Sequence, residues 1–176
     1  DRNYLAIADS GDNGGLRTDL FLHIIEEPAG LVENGQVAIV RSIRFRWPDG
    51  ARDTESLLAD EKHRRFLLIS KKRVPAEVFA LPFDAKDGDK PKLVAILEGI
   101  AQPDEKTMNA KGDYGRYRAQ ITGADISPDG QWLAIAATDR NGDPHLFKIP
   151  VAGGAPVRLV AEYSIDPTWS PGGEFL

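Results

Sequence analysis

The chain has 176 residues, 41% of them hydrophobic, which is enough for one domain with a real core and argues against intrinsic disorder. A net charge of -5 and a pI near 5.2 deny it the global basic field that draws nucleic acid or anionic lipid. With no cysteine, disulfides, zinc thiolates and thiol catalysis are excluded, and no apolar run approaches the ~20 residues that span a bilayer.

The first expected strand is Tyr4-Leu5-Ala6-Ile7-Ala8, followed by a polar loop, Asp9-Ser10-Gly11-Asp12-Asn13. A second apolar segment, Leu20-Phe21-Leu22-His23-Ile24, and a third over residues 36–47 complete this unit. Pro48-Asp49-Gly50 follows this unit; in the later turns Pro128-Asp129-Gly130 and Pro171-Gly172-Gly173 proline presets the first turn angle and glycine takes a positive φ. The next unit has four segments: residues 54–58, Phe66-Leu67-Leu68-Ile69-Ser70, Glu77-Val78-Phe79-Ala80-Leu81-Pro82, and residues 92–97. Lys71-Lys72-Arg73 between two of them is a short basic run of the kind that forms a solvated turn.

Residues 104–117 then form the longest polar insertion, which includes Gly112-Asp113-Tyr114-Gly115-Arg116-Tyr117. A third unit follows with segments at 121–127, Trp132-Leu133-Ala134-Ile135-Ala136, His145-Leu146-Phe147-Lys148-Ile149-Pro150 and 156–160. Asp166-Pro167-Thr168-Trp169 opens a fourth. The segments Tyr4–Ala8, 66–70 and 132–136 resemble one another, and Ile126-Ser127-Pro128-Asp129-Gly130 matches Trp169-Ser170-Pro171-Gly172-Gly173. The last pair stand one repeat apart, within the roughly 40–45 residues of a four-stranded propeller blade.

Four short hairpin-linked strands per unit, with no sustained helical period, predict an all-β fold. The expected architecture is a β-propeller fragment of about three four-stranded blades plus the start of another. Residues 1–50 make an incomplete blade without its innermost strand, 51–100 a blade, 101–120 an insertion loop, 121–163 a blade, and 164–176 the start of the next. A β-sandwich is the competing architecture, but it does not account for repetition of the whole unit. Propellers close with 4–8 blades, so flanking blades are expected outside this sequence, which also starts at Asp1 rather than Met.

Several residues are candidates for function. Asp9, Asp12 and Asn13 crowd oxygens into one loop, while Glu55 and Asp125 stand near the start of innermost strands. Around a propeller axis these hard ligands could gather at one mouth and suit Ca²⁺, which takes 6–8 oxygens. The alternative is structural: Asp and Asn build turns, and Glu55 or Asp125 pairs with Arg52 or Lys71. Asp139-Arg140-Asn141-Gly142-Asp143 looks like a calcium loop at its start, but its twelfth position is Pro150 and a hairpin turn is expected. His23, His63 and His145 show no zinc spacing, and neither a serine elbow nor a phosphate-cradling glycine loop is present. Tyr114, Arg116, Tyr117 and Arg118 have the composition of interface anchors on a long loop. Trp47, Trp132 and Trp169 fit blade packing, with Pro48 leaving an exposed Trp47 open.

Ile126-Ser127-Pro128-Asp129-Gly130, Trp132-Leu133-Ala134, Leu146-Phe147-Lys148-Ile149-Pro150 and Asp166-Pro167-Thr168-Trp169-Ser170-Pro171 resemble the TolB-type, WD40-like repeat of bacterial propellers. Asp9-Ser10-Gly11-Asp12-Asn13 with Arg17, Glu27-Pro28, and Pro48 to Glu55 resemble a group of uncharacterised secreted bacterial propeller proteins. Thr54 departs from that group's usual small residue, and Lys71 fits its pattern. The resemblance implies a periplasmic or secreted location and no established activity. The expected function is therefore a scaffold that binds a protein or small-molecule ligand. The alternative is a calcium-dependent hydrolase of the phytase-like or lactonase-like kind, with Asp12, Asn13, Glu55 and Asp125 holding the ion.

Overall fold

Alternating or wholly apolar runs of six or seven residues, punctuated by Gly, Pro and Asp, leave the chain little choice but short antiparallel strands. A computed structural model describes residues 3–30, 35–71, 73–100, 104–110, 120–141, 143–174 and 176, without the side chains of 107 and 108. Three strands, β1 (Tyr4–Asp9), β2 (Leu20–Glu26) and β3 (Ile39–Phe45), form the first sheet. The second holds β4 (Thr54–Asp60), β5 (Arg65–Ser70), β6 (Ala76–Pro82) and β7 (Lys92–Leu97). The third holds β8 (Ala124–Ile126), β9 (Trp132–Thr138), β10 (Pro144–Pro150) and β11 (Val157–Arg158). Each sheet is an antiparallel meander in chain order. The second and third sheets approach each other at their inner strands, β4 lying against β8, while β1 of the first sheet lies against β4. This is an all-β propeller fragment.

Burial follows from that stacking. Leu20, Leu22, Ile43, Phe45 and Trp47 of the first sheet and its following loop meet Phe66, Leu68, Phe79 and Leu81 of the second. The other face of the second sheet, with Leu58, Leu67, Ile69 and Val78, meets Leu133, Ile135, Phe147 and Ile149 of the third. A sheet covered on both sides needs continuous apolar strands, which is why β5 reads Phe66-Leu67-Leu68-Ile69 without alternation. Each such Leu, Ile or Phe taken from water contributes roughly 1.5–3 kcal/mol.

The register corrects the sequence comparison by one residue. Arg65 pairs with Pro82 as Trp132 pairs with Pro150, so Arg65, rather than Phe66, is the counterpart of Trp132 and Tyr4. Leu133 and Ile135 accordingly face the preceding sheet, as Phe66 and Leu68 do. Because side chains alternate, a one-residue offset exchanges the two faces.

Other boundaries shorten. Of residues 36–47 only Ile39–Phe45 is strand, and 121–127 and 156–160 contract to β8 and β11. Residues 166–169 are not in a strand, and within the insertion α1 (Glu105–Ala110) makes a short helix, with acidic Glu105 in its first turn. Trp47 is buried despite Pro48, donating its indole N–H to the Arg52 carbonyl at 3.1 Å and meeting Phe45 and Phe79 edge-on. Ser127–Gly130 and its repeat partner Ser170–Gly173 form the same turn, each closed by a 2.8 Å glycine N–H bond, with φ of 69° and 75° at the glycines. No helix among the described residues is long and apolar enough to cross a membrane.

Candidate functional site

Antiparallel order puts alternate connections on one face. The β1–β2, β3–β4, β5–β6 and β7–β8 connections all leave there, so the Asp9–Asn13 loop, the start of β4 and the two flanks of the insertion share that face. Tyr114, Arg116, Tyr117 and Arg118 lie outside the described residues.

At the end of β1, Asp9 takes a fork of two bonds from Arg17, at 2.7 and 2.8 Å. That hydrogen-bonded guanidinium holds the Asp9 carboxyl below its ordinary value and raises Arg17. Asp12 is buried and folds its own loop, its carboxylate accepting from the N–H groups of Leu16 (2.9 Å) and Arg17 (3.1 Å). The Asp12 N–H in turn donates to Asp53 at 2.7 Å, and Ser10 Oγ donates to the Thr54 carbonyl at 3.2 Å. The loop is thus stapled to the start of the next sheet.

Pairing skips from Thr54 to Ser56, leaving Glu55 as the extra residue of a bulge. A bulge re-aims its side chain, and Glu55 meets the Lys71 ammonium at 2.5 Å. Lys71 also stands 3.8 Å from Asp53. Beside them Arg52, buried, lies over the rings of Phe79 (4.6 Å) and Trp47 (5.7 Å). Its Nε donates to Glu77 at 2.8 Å and its end groups donate to Asp49, so the hydrogen bonds to Asp49 first, opposed by burial, and then that to Glu77 raise the guanidinium above its ordinary value.

Asp125 goes elsewhere. Its carboxylate accepts from the Ile126 N–H at 2.8 Å and from the Trp169 N–H at 2.7 Å, tying the third sheet to the next repeat. By register it pairs with Ala134, as Leu58 pairs with Leu67, so it lies deeper along its strand than Glu55. Of the five oxygen-bearing candidates, Asp12 and Asn13 line a common cleft, of about 260 Å³, with Arg52, Asp53 and Arg73. Among the described residues no three Asp, Glu or His side chains are grouped to hold one ion.

A second cleft on this face, of about 330 Å³, is lined by Lys71, Arg73, Val74, Pro75, Glu98 and Ile100 among others. Exposed Arg73 therefore borders both clefts. Neither Asp53 nor Arg73 is a site candidate in the sequence: Asp53 immediately precedes a strand, where it reads as a turn residue, and Arg73 reads as part of a solvated basic turn. The 139–143 loop is a hairpin connection, Asp139 accepting from the N–H groups of Asn141 (2.8 Å) and Asp143 (3.0 Å). His145 is buried within 3.4 Å of Asp139, His63 bonds buried Asp60 at 2.9 Å, and His23 bonds Ser42 at 2.8 Å.

No family model matches the chain, and no curated protein matches it either. Among solved structures it is similar to a protein from Agrobacterium tumefaciens provisionally assigned as TolB, at 13% identity and a TM-score of 0.33. That similarity covers 92% of this chain, which spans 63% of the length of the other. The assignment to an all-β propeller fragment rests on the sheets themselves.

Proposed function

We propose that the chain is part of an extracytoplasmic propeller that acts as a binding scaffold, engaging a protein or small-molecule ligand with the face that carries the two clefts. The observation that carries this reading is the way the acidic candidates are used. Asp9 is matched by Arg17, Asp12 by two backbone amides, Glu55 by Lys71 and Asp125 by a backbone amide of the next repeat. Carboxylates committed separately in this way build loops; a catalytic calcium needs them aimed at one point. The same face supplies an exposed cation, Arg73, beside apolar Val74, Pro75 and Ile100, a combination suited to an anionic group with an apolar body. The β7–β8 connection, whose sequence holds the aromatic and arginine anchors, leaves from there too.

Photo-crosslinking tests this. A photoreactive side chain at Arg73 or Gly14 should trap a partner from a bacterial envelope extract, while one at Lys90 in the β6–β7 connection of the opposite face should not. Trapping from Lys90 alone refutes the choice of face. Calcium-dependent phosphoester or ester hydrolysis that Glu55→Gln abolishes refutes the scaffold reading and installs the metal one.

A further inference from the structure

The hairpin between β4 and β5 departs from its counterpart in the third sheet. Asp60 corresponds to Ser127, because Asp60 pairs with Arg65 as Ser127 bonds Trp132 through the backbone. Ser127 uses its hydroxyl to accept the Trp132 N–H, and a glycine, Gly130, sits three residues on. At the same two places the second sheet has a carboxylate, Asp60, and an imidazole, His63. The Asp60 carboxylate is fully buried and accepts from the His63 N–H (3.2 Å), from His63 Nδ1 (2.9 Å) and from Arg65 Nε (2.7 Å). Holding the turn needs only the first of these bonds. Arg64, between the two basic side chains, takes a φ of 52°, so the chain reverses within one residue and brings both onto one carboxylate.

Asp60 leaves the outer groups of both side chains uncommitted. The His63 side chain is 48% exposed and that of Arg65 24%, and neither His63 Nε2 nor the terminal nitrogens of Arg65 have a partner among the described residues. Both residues line a cleft of about 530 Å³ formed by the second and third sheets, on the rim opposite the two clefts above. Val94, Pro150, Val151 and Ala152 supply apolar lining, and no carboxylate is among the described residues that line it. From the third sheet's turn Gly130 approaches the His63 ring so closely that a Cβ there would stand 2.9 Å away, and it brings no charge. Asp129 beside it is engaged by Ser127 and the Gln131 N–H.

We propose that this cleft binds a small oxyanion, a carboxylate or a phosphate ester, carried on an apolar body. The terminal N–H groups of Arg65 receive its oxygens, an end-on use of the guanidinium fork. Asp60 fixes a proton on Nδ1 of His63, so the neutral ring offers only a lone pair at Nε2. Binding of the anion therefore takes up a proton at Nε2. The assembled group is then neutral, the ligand and Asp60 on either side of two cations. Asp60 itself is dry and fully engaged, and its part is to position the other two. The apolar body lies along Val94, Pro150 and Val151. This site is separate from the partner face proposed above and does not depend on it.

Calorimetry and imidazole NMR on the full-length protein test the site, with circular dichroism confirming the fold of each variant. Phenylacetate and phenyl phosphate should each bind with a dissociation constant below about 1 mM and shift the His63 ring resonances, the tighter of the two naming the oxyanion. Benzyl alcohol, a ring without charge, and acetate, a charge without a ring, should bind at least about 10-fold more weakly. Phenylacetate keeps its charge above about pH 6, so its binding should tighten at least about threefold from about pH 8 to about pH 6 as the proton is taken up. His63→Gln should abolish that gain and weaken binding by about fivefold or more. Arg65→Gln should weaken it at least about 10-fold, and Arg65→Lys should restore only part. Lys62→Gln removes an exposed cation of the same turn and should change the affinity less than about twofold. No binding of either aromatic anion at about 10 mM, equal affinity for benzyl alcohol, or binding indifferent to both His63→Gln and Arg65→Gln overturns the proposal. So does a pH gain that survives in His63→Gln, the variant that decides alone should Arg65→Gln fail to fold.

Discussion

Arg52 is the residue whose removal should cost the fragment most for a charged group. Its side chain is only 2% exposed and lies over two aromatic rings, with Glu77, 21% exposed, on its Nε. Losing the buried stem forfeits about 1 kcal/mol of packing. The two ring contacts, partly desolvated, add about 1 kcal/mol. Glu77 is then left half-satisfied in a mostly dry setting, which costs roughly 1–2 kcal/mol more. Asp49 is largely in water and changes the balance little. Arg52→Ala should therefore destabilise the chain by about 3–4 kcal/mol. With a urea dependence of roughly 2 kcal/mol per molar, the unfolding midpoint should fall by about 1.5–2 M at fixed protein concentration. Arg52→Met keeps the stem and should fall by about half as much, and adding Glu77→Gln to it should recover part of the loss. A change under about 0.5 kcal/mol for Arg52→Ala, or strict additivity of Arg52→Met and Glu77→Gln, refutes the account of a coupled, desolvated pair.

Three further outcomes follow from individual contacts. Asp9, lowered by Arg17, contributes stability that is present above the ordinary carboxyl value of 3.8 and is lost as pH falls through its own lower value. Asp9→Asn should accordingly lower the urea midpoint slightly at pH 7, by well under about 1 kcal/mol for so exposed a pair, and the difference from the parent should shrink as pH falls below 3.8. Gly130→Ala should lose roughly 1–3 kcal/mol in thermal unfolding, because its Cβ meets buried Asp60 at 2.9 Å in a positive-φ turn; Gly50→Ala, with open space around it, should lose less. Trp47→Phe should cost about 1 kcal/mol beyond any packing change, from the indole bond to the Arg52 carbonyl, measured as a shift in urea midpoint.

The fold was legible because its cause is local. Hairpin turns such as Pro128-Asp129-Gly130 and apolar runs of strand length recur at one blade's spacing, and the sheets follow from them. Face assignment was not, because β5 is apolar at every position from Phe66 to Ile69 and carries no alternation to fix its phase. The phase comes from the pairing of Arg65 with Pro82, a contact between strands. The site was legible in part. Asp9 and Asp12 lie in the expected loop, yet their partners are Arg17 and backbone amides that composition cannot announce. Glu55 turns toward Lys71 because of a bulge, and Asp125 turns toward Trp169 because a neighbouring repeat offers an N–H there. Both outcomes depend on long-range placement. Trp47 shows the same limit: Pro48 suggested exposure, but the Arg52 carbonyl and Phe79 draw the indole inward.

The hydrogen bond that the Trp169 N–H donates to the Asp125 carboxylate has a bearing on how such a chain can change length over time. It clamps two points separated by one complete unit, so any residue gained or lost between them must be absorbed in the hairpin tip at 139–143 or the β10–β11 connection. Elsewhere the tether would slip out of phase with its acceptor. Growth of this molecule by whole units is thereby favoured over piecemeal drift, and a duplicated unit would arrive with its own latch already in place.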